Sequence, residues 1–411
     1  MIKKNSRRTF LGNTLTGATG IAIGYGLPGP WLQAIANEKA ANDRILIVVQ
    51  LSGGNDGLNT VVPYRHEAYR KARPKLGIPA ADVHKIDDEI GLHPSLSGAM
   101  RLLESGRFSI VQGVGYKSPN RSHFESMDIW HTCERKEQRS GDGWLGRMFA
   151  ASSLDSKLDS MGLHLGREQQ PRAVAARGVQ VPSIATIDQF RLKVADDGSL
   201  DMHTMKLPEE PSTLIPDSNA LLGFVQSSTA SALAASERIE KALKRSVADT
   251  DFPDTPLGEK LQVISRLILA GLSTKVYYVT LDGFDTHSQQ TFSHSSLLRH
   301  WSDAIEALVN RLEKAGQADR VLLMSFSEFG RRVKENASQG TDHGAAAPVF
   351  FAGPNFPTHI IGKQPSLTDL DDGDLKFHTD FRSVYATLLE KWFCIPSEPI
   401  LGQHFKPLEL I

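Results

Sequence analysis

Ile45-Leu46-Ile47-Val48-Val49-Gln50-Leu51, followed at once by Ser52-Gly53-Gly54-Asn55-Asp56-Gly57, decides the fold. The first part is apolar and rich in β-branched residues, of strand length and broken only by Gln50, so neither of its faces is patterned to meet water. Such a strand belongs in the middle of a parallel sheet covered by helices. The Gly-rich polar loop then stands at the strand's carboxyl end, where open α/β sheets place their sites.

Working outward, four more runs read as strands of this kind, at 108–112, 275–281, 320–326 and 348–352. Between them, apolar residues three and four apart predict helices at 95–105, 257–272, 295–315 and 379–393. Strand and helix alternate, which implies an α/β fold with a mostly parallel central sheet and helices on both faces. The stretch 152–254 breaks the rhythm. It has weak strands, a polar segment at 196–219 with Pro208, Pro211 and Pro216, and one long helical pattern at 220–247, and is expected to be an insertion or cap.

At the N-terminus, Lys3 and Lys4 precede Ser6-Arg7-Arg8-Thr9-Phe10-Leu11, the pattern of a twin-arginine export signal. A weakly apolar stretch leads to Ala34-Ile35-Ala36, a small-x-small cleavage site, so residues 1–36 read as a signal peptide and 42–411 as the working domain. Gly17, Gly20, Gly24, Gly26, Pro28, Gly29 and Pro30 suit a spanning helix poorly, so no stable membrane insertion is expected. Gly24-x-Gly26-x-x-Gly29 has no strand before it and lies in the discarded piece, so it signals no dinucleotide cofactor.

Losing Lys3, Lys4, Arg7 and Arg8 takes the formal net charge from −1 to −5, a balance that argues against nucleic acid as a partner. Cys133 and Cys394 have no zinc-knot spacing and are expected to be buried free thiols.

Polar residues cluster just after the apolar runs. They are Asn55-Asp56, Asn120-Arg121-Ser122-His123, Asp285-Thr286-His287, Ser327-Glu328, and Asp342-His343 just before the last run. Carboxylates and neutral imidazoles gathered at one sheet edge are what a divalent cation needs: zinc, calcium, magnesium or manganese. The expected ligand pool is Asn55, Asp56, Asp285, His287, Glu328, Asp342 and His343. Ser122 is the expected nucleophile, with His123 or Arg121 steadying charge on the ester oxygens. Each has a plainer reading too: Asn55-Asp56-Gly57 suits a turn, Ser122 an N-cap, and Glu328 a pair with Arg331 or Arg332. His93, His131, His294, His300 and His378 show no comparable setting.

Six motifs carry a family resemblance: 51–64 (LSGGNDGLNTVVPY), 120–124 (NRSHF), 283–287 (GFDTH), 327–331 (SEFGR), 340–344 (GTDHG) and 379–382 (TDFR). With the export signal, they make the chain resemble a family of twin-arginine-exported bacterial proteins, a domain of unknown function (DUF 1501), grouped by fold with the alkaline phosphatase and sulfatase superfamily.

That resemblance implies an alkaline-phosphatase-like fold with an ordered set of stations. Asn55 or Asp56 comes first, then Ser122, then Asp285 with His287. In the preferred alignment Glu328 takes an Asp position, Phe329 replaces an expected His, and His343 is the late His. Asp285 and His287 stand two residues apart where phosphatases usually show four. These departures leave open a one-metal site or a non-catalytic descendant. No Cys-x-Pro-x-Arg or Ser-x-Pro-x-Arg sulfatase signature occurs, which excludes a formylglycine nucleophile.

The expected function is therefore a metal-dependent hydrolase of phosphate or sulfate esters, acting on a small-molecule or polysaccharide ester. It would be exported by the twin-arginine translocase and reside in the periplasm or outside the cell. The alternative is a non-catalytic envelope binding or assembly protein that keeps the fold.

Overall fold

The computed structural model describes residues 43–138, 140–152, 160–184 and 251–411. The signal segment 1–36 and most of 152–254, including its helical pattern at 220–247, lie outside the described residues. No helix among those described is long and apolar enough to cross a membrane.

The quoted stretch forms β1 (Ile45–Leu51), buried along its whole length. Ile45, Ile47, Val49 and Leu51 face one hydrophobic cluster, while Leu46 and Val48 face another on the opposite side of the sheet. The alternation of a strand thus spends its apolar side chains on two cores at once. The remaining major elements are α1 (Ser97–Glu104), β2 (Phe108–Gly115), α2 (His123–Thr132), α3 (Trp144–Ala151), β3 (Gly162–Leu165), β4 (Ser183–Ile184), α4 (Pro256–Leu269), β5 (Val276–Leu281), α5 (Gln290–Lys314), β6 (Val321–Phe326), β7 (Ala347–Ala352), β8 (Ile360–Ile361), β9 (Thr379–Asp380) and α6 (Phe381–Thr387).

The sheet runs β8-β2-β7-β6-β1-β5-β3-β4, with β9 also paired to β2. All pairings are parallel except those of β7, which is antiparallel to both β2 and β6. Helices α1, α4 and α5 supply the core on one face, and α2, α3 and α6 that on the other. The α/β class, the mostly parallel sheet and the helices on both faces are as the sequence predicts.

Four features differ from the sequence reading. The 348–352 run is the antiparallel strand, which nothing in its composition distinguishes. The described part of 152–254 contributes β3 and β4, which extend the main sheet: β3 pairs with β5 from Gly162↔Val276 to Leu165↔Val279. Helix α5 begins five residues earlier than its apolar period. Its added first turn is polar but partly buried, because Gln290 donates to Asp56 Oδ2 at 2.5 Å and His294 donates to Asn55 Oδ1 at 2.9 Å. Of the cysteines, Cys133 is buried as expected but Cys394 is exposed.

The topology gathers the site. β2, β6, β1 and β5 run the same way, so the loops after them open at one edge, and antiparallel β7 begins at that same edge. Five polar segments far apart in sequence are thereby brought to one place.

Candidate metal centre

The end of β5 projects Asp285, and its carboxylate is the hub. Oδ1 lies 3.0 Å from His287 Nε2 and 3.1 Å from His343 Nε2, and these two nitrogens are 2.9 Å apart. Oδ2 lies 3.5 Å from His123 Nε2. Among the described residues, His123, Asp285 and His343 form a group whose ligand atoms all fall within 4.8 Å of one another. His287 is outside that trio but closes the tight triangle with Asp285 and His343.

The far side of each ring fixes its tautomer. His123 Nδ1 stands 2.8 Å from Glu328 Oε1, His287 Nδ1 3.3 Å from Asp342 Oδ1, and His343 Nδ1 2.8 Å from the Arg121 carbonyl. A carboxylate or a carbonyl only accepts, so Nδ1 donates in all three and each neutral ring keeps its lone pair on Nε2. Three lone pairs then face a carboxylate, an arrangement that repels unless a cation lies among them. His123 Nε2 is buried without a hydrogen-bond partner.

The donor set fits a metal. A tetrahedral ion with bonds of about 2.0–2.1 Å needs ligand atoms roughly 3.3 Å apart; Asp285 Oδ1, His287 Nε2 and His343 Nε2 stand 2.9 to 3.1 Å apart, and Asp285 Oδ2 is 3.5 Å from His123 Nε2. Three imidazoles with one carboxylate suit zinc or a similar transition metal better than calcium or magnesium, which prefer all-oxygen sets. Outer partners on the three Nδ1 atoms are the usual accompaniment of metal-bound histidine.

Arg331, which the sequence reading placed beside Glu328, instead ties the loops together. Buried, it donates to the carbonyls of Gly53, Gly54 (2.6 Å), Phe284 (3.0 Å) and Thr341 (2.7 Å), and to Asp285 Oδ1 at 2.7 Å. Burial pushes the Asp285 carboxyl up, but the hydrogen bond from Arg331 and its charge outweigh it and hold the pKa at about 2. The hydrogen bond to Glu328 raises the pKa of His123, so without an ion a proton can occupy the same space.

Several expected ligands are committed elsewhere. Asn55 Oδ1 accepts from His294 and from Thr60 Oγ1 at 3.1 Å, inside the core. Asp56 is buried in an ion pair with Arg73, accepts from Gln290, and caps the helical turn Gly57–Thr60. Burial raises its pKa, but Arg73 outweighs that and the carboxyl is held low. Glu328 accepts from Gly53 N at 2.9 Å and from His123 through Oε1, while Oε2 lies 3.1 Å from Ser327 Oγ. It therefore backs a ligand and is not positioned as one. Asp342 plays the same part for His287, helped by Asn336 Nδ2 at 3.2 Å.

The structure also exchanges roles among the expected catalytic residues. His123 joins the ligand cluster. The Arg121 guanidinium turns to Asp374 Oδ2 (2.6 Å) and Asp372 Oδ2 (3.1 Å), so only its carbonyl serves the site. Ser122 is the exposed N-cap residue of α2, with no side-chain capping bond. Phe329 offers no ligand atom, and its ring packs 4.9 Å from that of His123 and 4.7 Å from that of His343. Missed in the sequence were Arg331 as the hub of the loops and the Arg121 carbonyl as a partner of His343. A buried arginine looks like a surface one in sequence, and a carbonyl leaves no residue signature.

None of the curated proteins compared matches the sequence. Solved structures show a weak overall likeness. A lipoteichoic acid synthase from Listeria monocytogenes has 10% identity and a TM-score of 0.40, covering 88% of this chain and 76% of that one. A protein in the alkaline phosphatase superfamily from Vibrio parahaemolyticus has 9% and 0.39, covering 89% and 70%. The PsFucS1 sulfatase from Pseudoalteromonas sp. has 10% and 0.39, covering 93% and 75%. Likeness at this level carries no argument about chemistry. Residues 43–391 match the family model described as "Protein of unknown function (DUF1501)", and the chain belongs to that family.

Proposed function

We propose that the protein is an exported hydrolase of phosphate or sulfate esters that holds one divalent transition-metal ion through His123, Asp285, His287 and His343. The observation that carries this reading is the set of three imidazoles, each with Nδ1 spent on an acceptor and Nε2 turned toward Asp285. A bound ion would supply Lewis acidity, polarising an ester oxygen and lowering the pKa of a neighbouring hydroxyl or water.

The chain's own residues supply the rest. Ser122 precedes His123, and its hydroxyl is not spent on capping α2, so it is the hydroxyl offered for attack on phosphorus or sulfur. The amides of the first turn of α2 carry the positive end of the helix dipole, which favours an anionic ester. Glu328 and Asp342 hold two of the rings in register, and Arg331 keeps Asp285 ionised.

Export through the twin-arginine translocase to the periplasm or beyond rests on the Ser6-to-Leu11 motif alone. That route carries folded proteins, so the ion would be loaded before export. Phe329, where the superfamily resemblance expects a histidine, favours the second reading, a binding or assembly protein that keeps the fold without the chemistry.

The test is a panel of aryl phosphates and aryl sulfates on metal-loaded protein. Turnover lost in both Ser122→Ala and His343→Ala supports the hydrolase. Metal-loaded wild type that turns over none of the panel supports the second reading.

A further inference from the structure

Beside the metal centre lies a cavity of about 760 Å³, a volume typical of sites for small organic ligands. Its wall includes Arg121 and Ala345, each two residues from a candidate ligand, His123 or His343. Arg121 links the two places, with its side chain in the cavity wall and its carbonyl 2.8 Å from His343 Nδ1.

The lining has an unusual charge pattern. Lys117, Arg121 and Lys376 face Asp371, Asp372 and Asp374, so the formal charges cancel. An anion clamp would show an excess of cations, and an amine site an excess of carboxylates. Donors and acceptors mixed at no net charge suit a neutral ligand that both donates and accepts, which is the property of a polyol. Phe377 adds an aromatic surface to the same wall.

The polar groups are also pre-set. Arg121 donates through Nε to Asp374 Oδ2 at 2.8 Å, while Nη1 and Nη2 both reach Asp372 Oδ2, at 3.2 and 3.1 Å. Asp374 is 3% exposed and anchors the fork, whereas Asp372 is 76% exposed and Arg121 38%. Asp374 Oδ1 has no hydrogen-bond partner, with Arg332 Nε 3.6 Å away. Arg332 Nη2 also donates to Asp372 Oδ2, at 3.2 Å, so the carboxylates and the Arg121 guanidinium are held at fixed spacing before any ligand binds, with little ordering cost.

We infer that this cavity is a sugar-binding subsite, in which Asp372 and Arg121 hydrogen-bond ring hydroxyls of a neutral saccharide and Phe377 packs against its apolar side. The inference rests on the proposed hydrolase reading for its place in the reaction, where the ester group would sit at the ion and the sugar carrying it in the cavity. Binding of an unesterified sugar depends on neither the ion nor catalysis, so the two ideas fail separately.

The experiment is saturation-transfer NMR with glucose, galactose, N-acetylglucosamine and maltose, each at millimolar concentration, on the whole protein. Wild type is expected to bind at least one of them. Asp372→Ala, at an exposed position outside the metal cluster, is expected to weaken that binding about tenfold, the usual worth of a hydrogen bond to a charged group. His343→Ala is expected to lose metal and keep sugar binding. Circular dichroism establishes that each variant is folded. No signal from any of the four sugars, or binding untouched by Asp372→Ala, overturns the subsite. So does a protein that binds choline or inorganic phosphate at this wall in preference to sugars.

Discussion

His123 and Glu328 are joined by a 2.8 Å contact between Nδ1 and Oε1, and that contact turns the far nitrogen of the ring toward Asp285. The carboxylate is buried and also receives Gly53 N, so it cannot swing out to become a ligand itself. It acts through the histidine, by fixing its tautomer and raising its basicity.

Glu328→Gln keeps the shape and an acceptor but removes the charge. Metal affinity is expected to fall about 10- to 100-fold, the range for partners behind a ligand, while the protein stays folded. Competition against a chelator of known affinity reads this directly. Unchanged affinity would mean that His123 does not need the carboxylate.

Arg331→Ala leaves the carbonyls of Gly53, Gly54, Phe284 and Thr341 without their donor. Unmet buried acceptors and a lost ion pair together should lower stability by about 3 kcal/mol or more. Urea denaturation of the metal-free protein measures it without interference from the site. Arg331→Lys, with three donors in place of a planar fork, is expected to fall between the two.

Gly53 has φ +116°, and a Cβ there would press on the backbone of Phe284 and Asp285. Gly53→Ala is therefore strained in its own torsion and displaces the hub carboxylate. It should lower metal occupancy as well as melting temperature, whereas a change at Gly271, where a Cβ meets nothing within 4 Å, should lower only the latter.

Acid should unfold the protein through histidines outside the site. Burial pushes both His131, between Gln50 and Tyr278, and His294, against Asn55, down to about 3. Unfolded, each would titrate near 6.5, so on acidification the unfolded state takes up protons first. Stability is full above about pH 6.5 and declines as pH falls toward 3, by about tenfold in the folding constant per pH unit and histidine. Denaturation midpoints between pH 7 and 5 check this, and His131→Gln should flatten the slope.

The fold was legible where a single physical rule governed. β1 declares itself because burial on both faces permits no alternation, and the strand ends declare the site because polar residues there have no amphipathic pattern to serve. The assignment of roles was not legible. Asp56 and Asp285 are both acidic residues in glycine-rich loops, and only packing shows that Arg73 neutralises the first while three rings converge on the second. Glu328 and His123 exchange parts for the same reason, since sequence gives neither direction nor burial. The first turn of α5 was missed because Gln290 and His294 replace apolar anchors by hydrogen bonds, which leave no periodicity to read.

His123, Asp285, His287 and His343 are proposed to form one ion-binding centre. Elemental analysis of protein purified without chelator tests it most directly, with His123→Ala, Asp285→Ala and His343→Ala alongside. One zinc-like divalent ion per chain is expected in the wild type and its loss in each variant, with the far-ultraviolet circular dichroism spectrum kept. Folded wild-type protein that carries no ion and takes up none when zinc is supplied would contradict it.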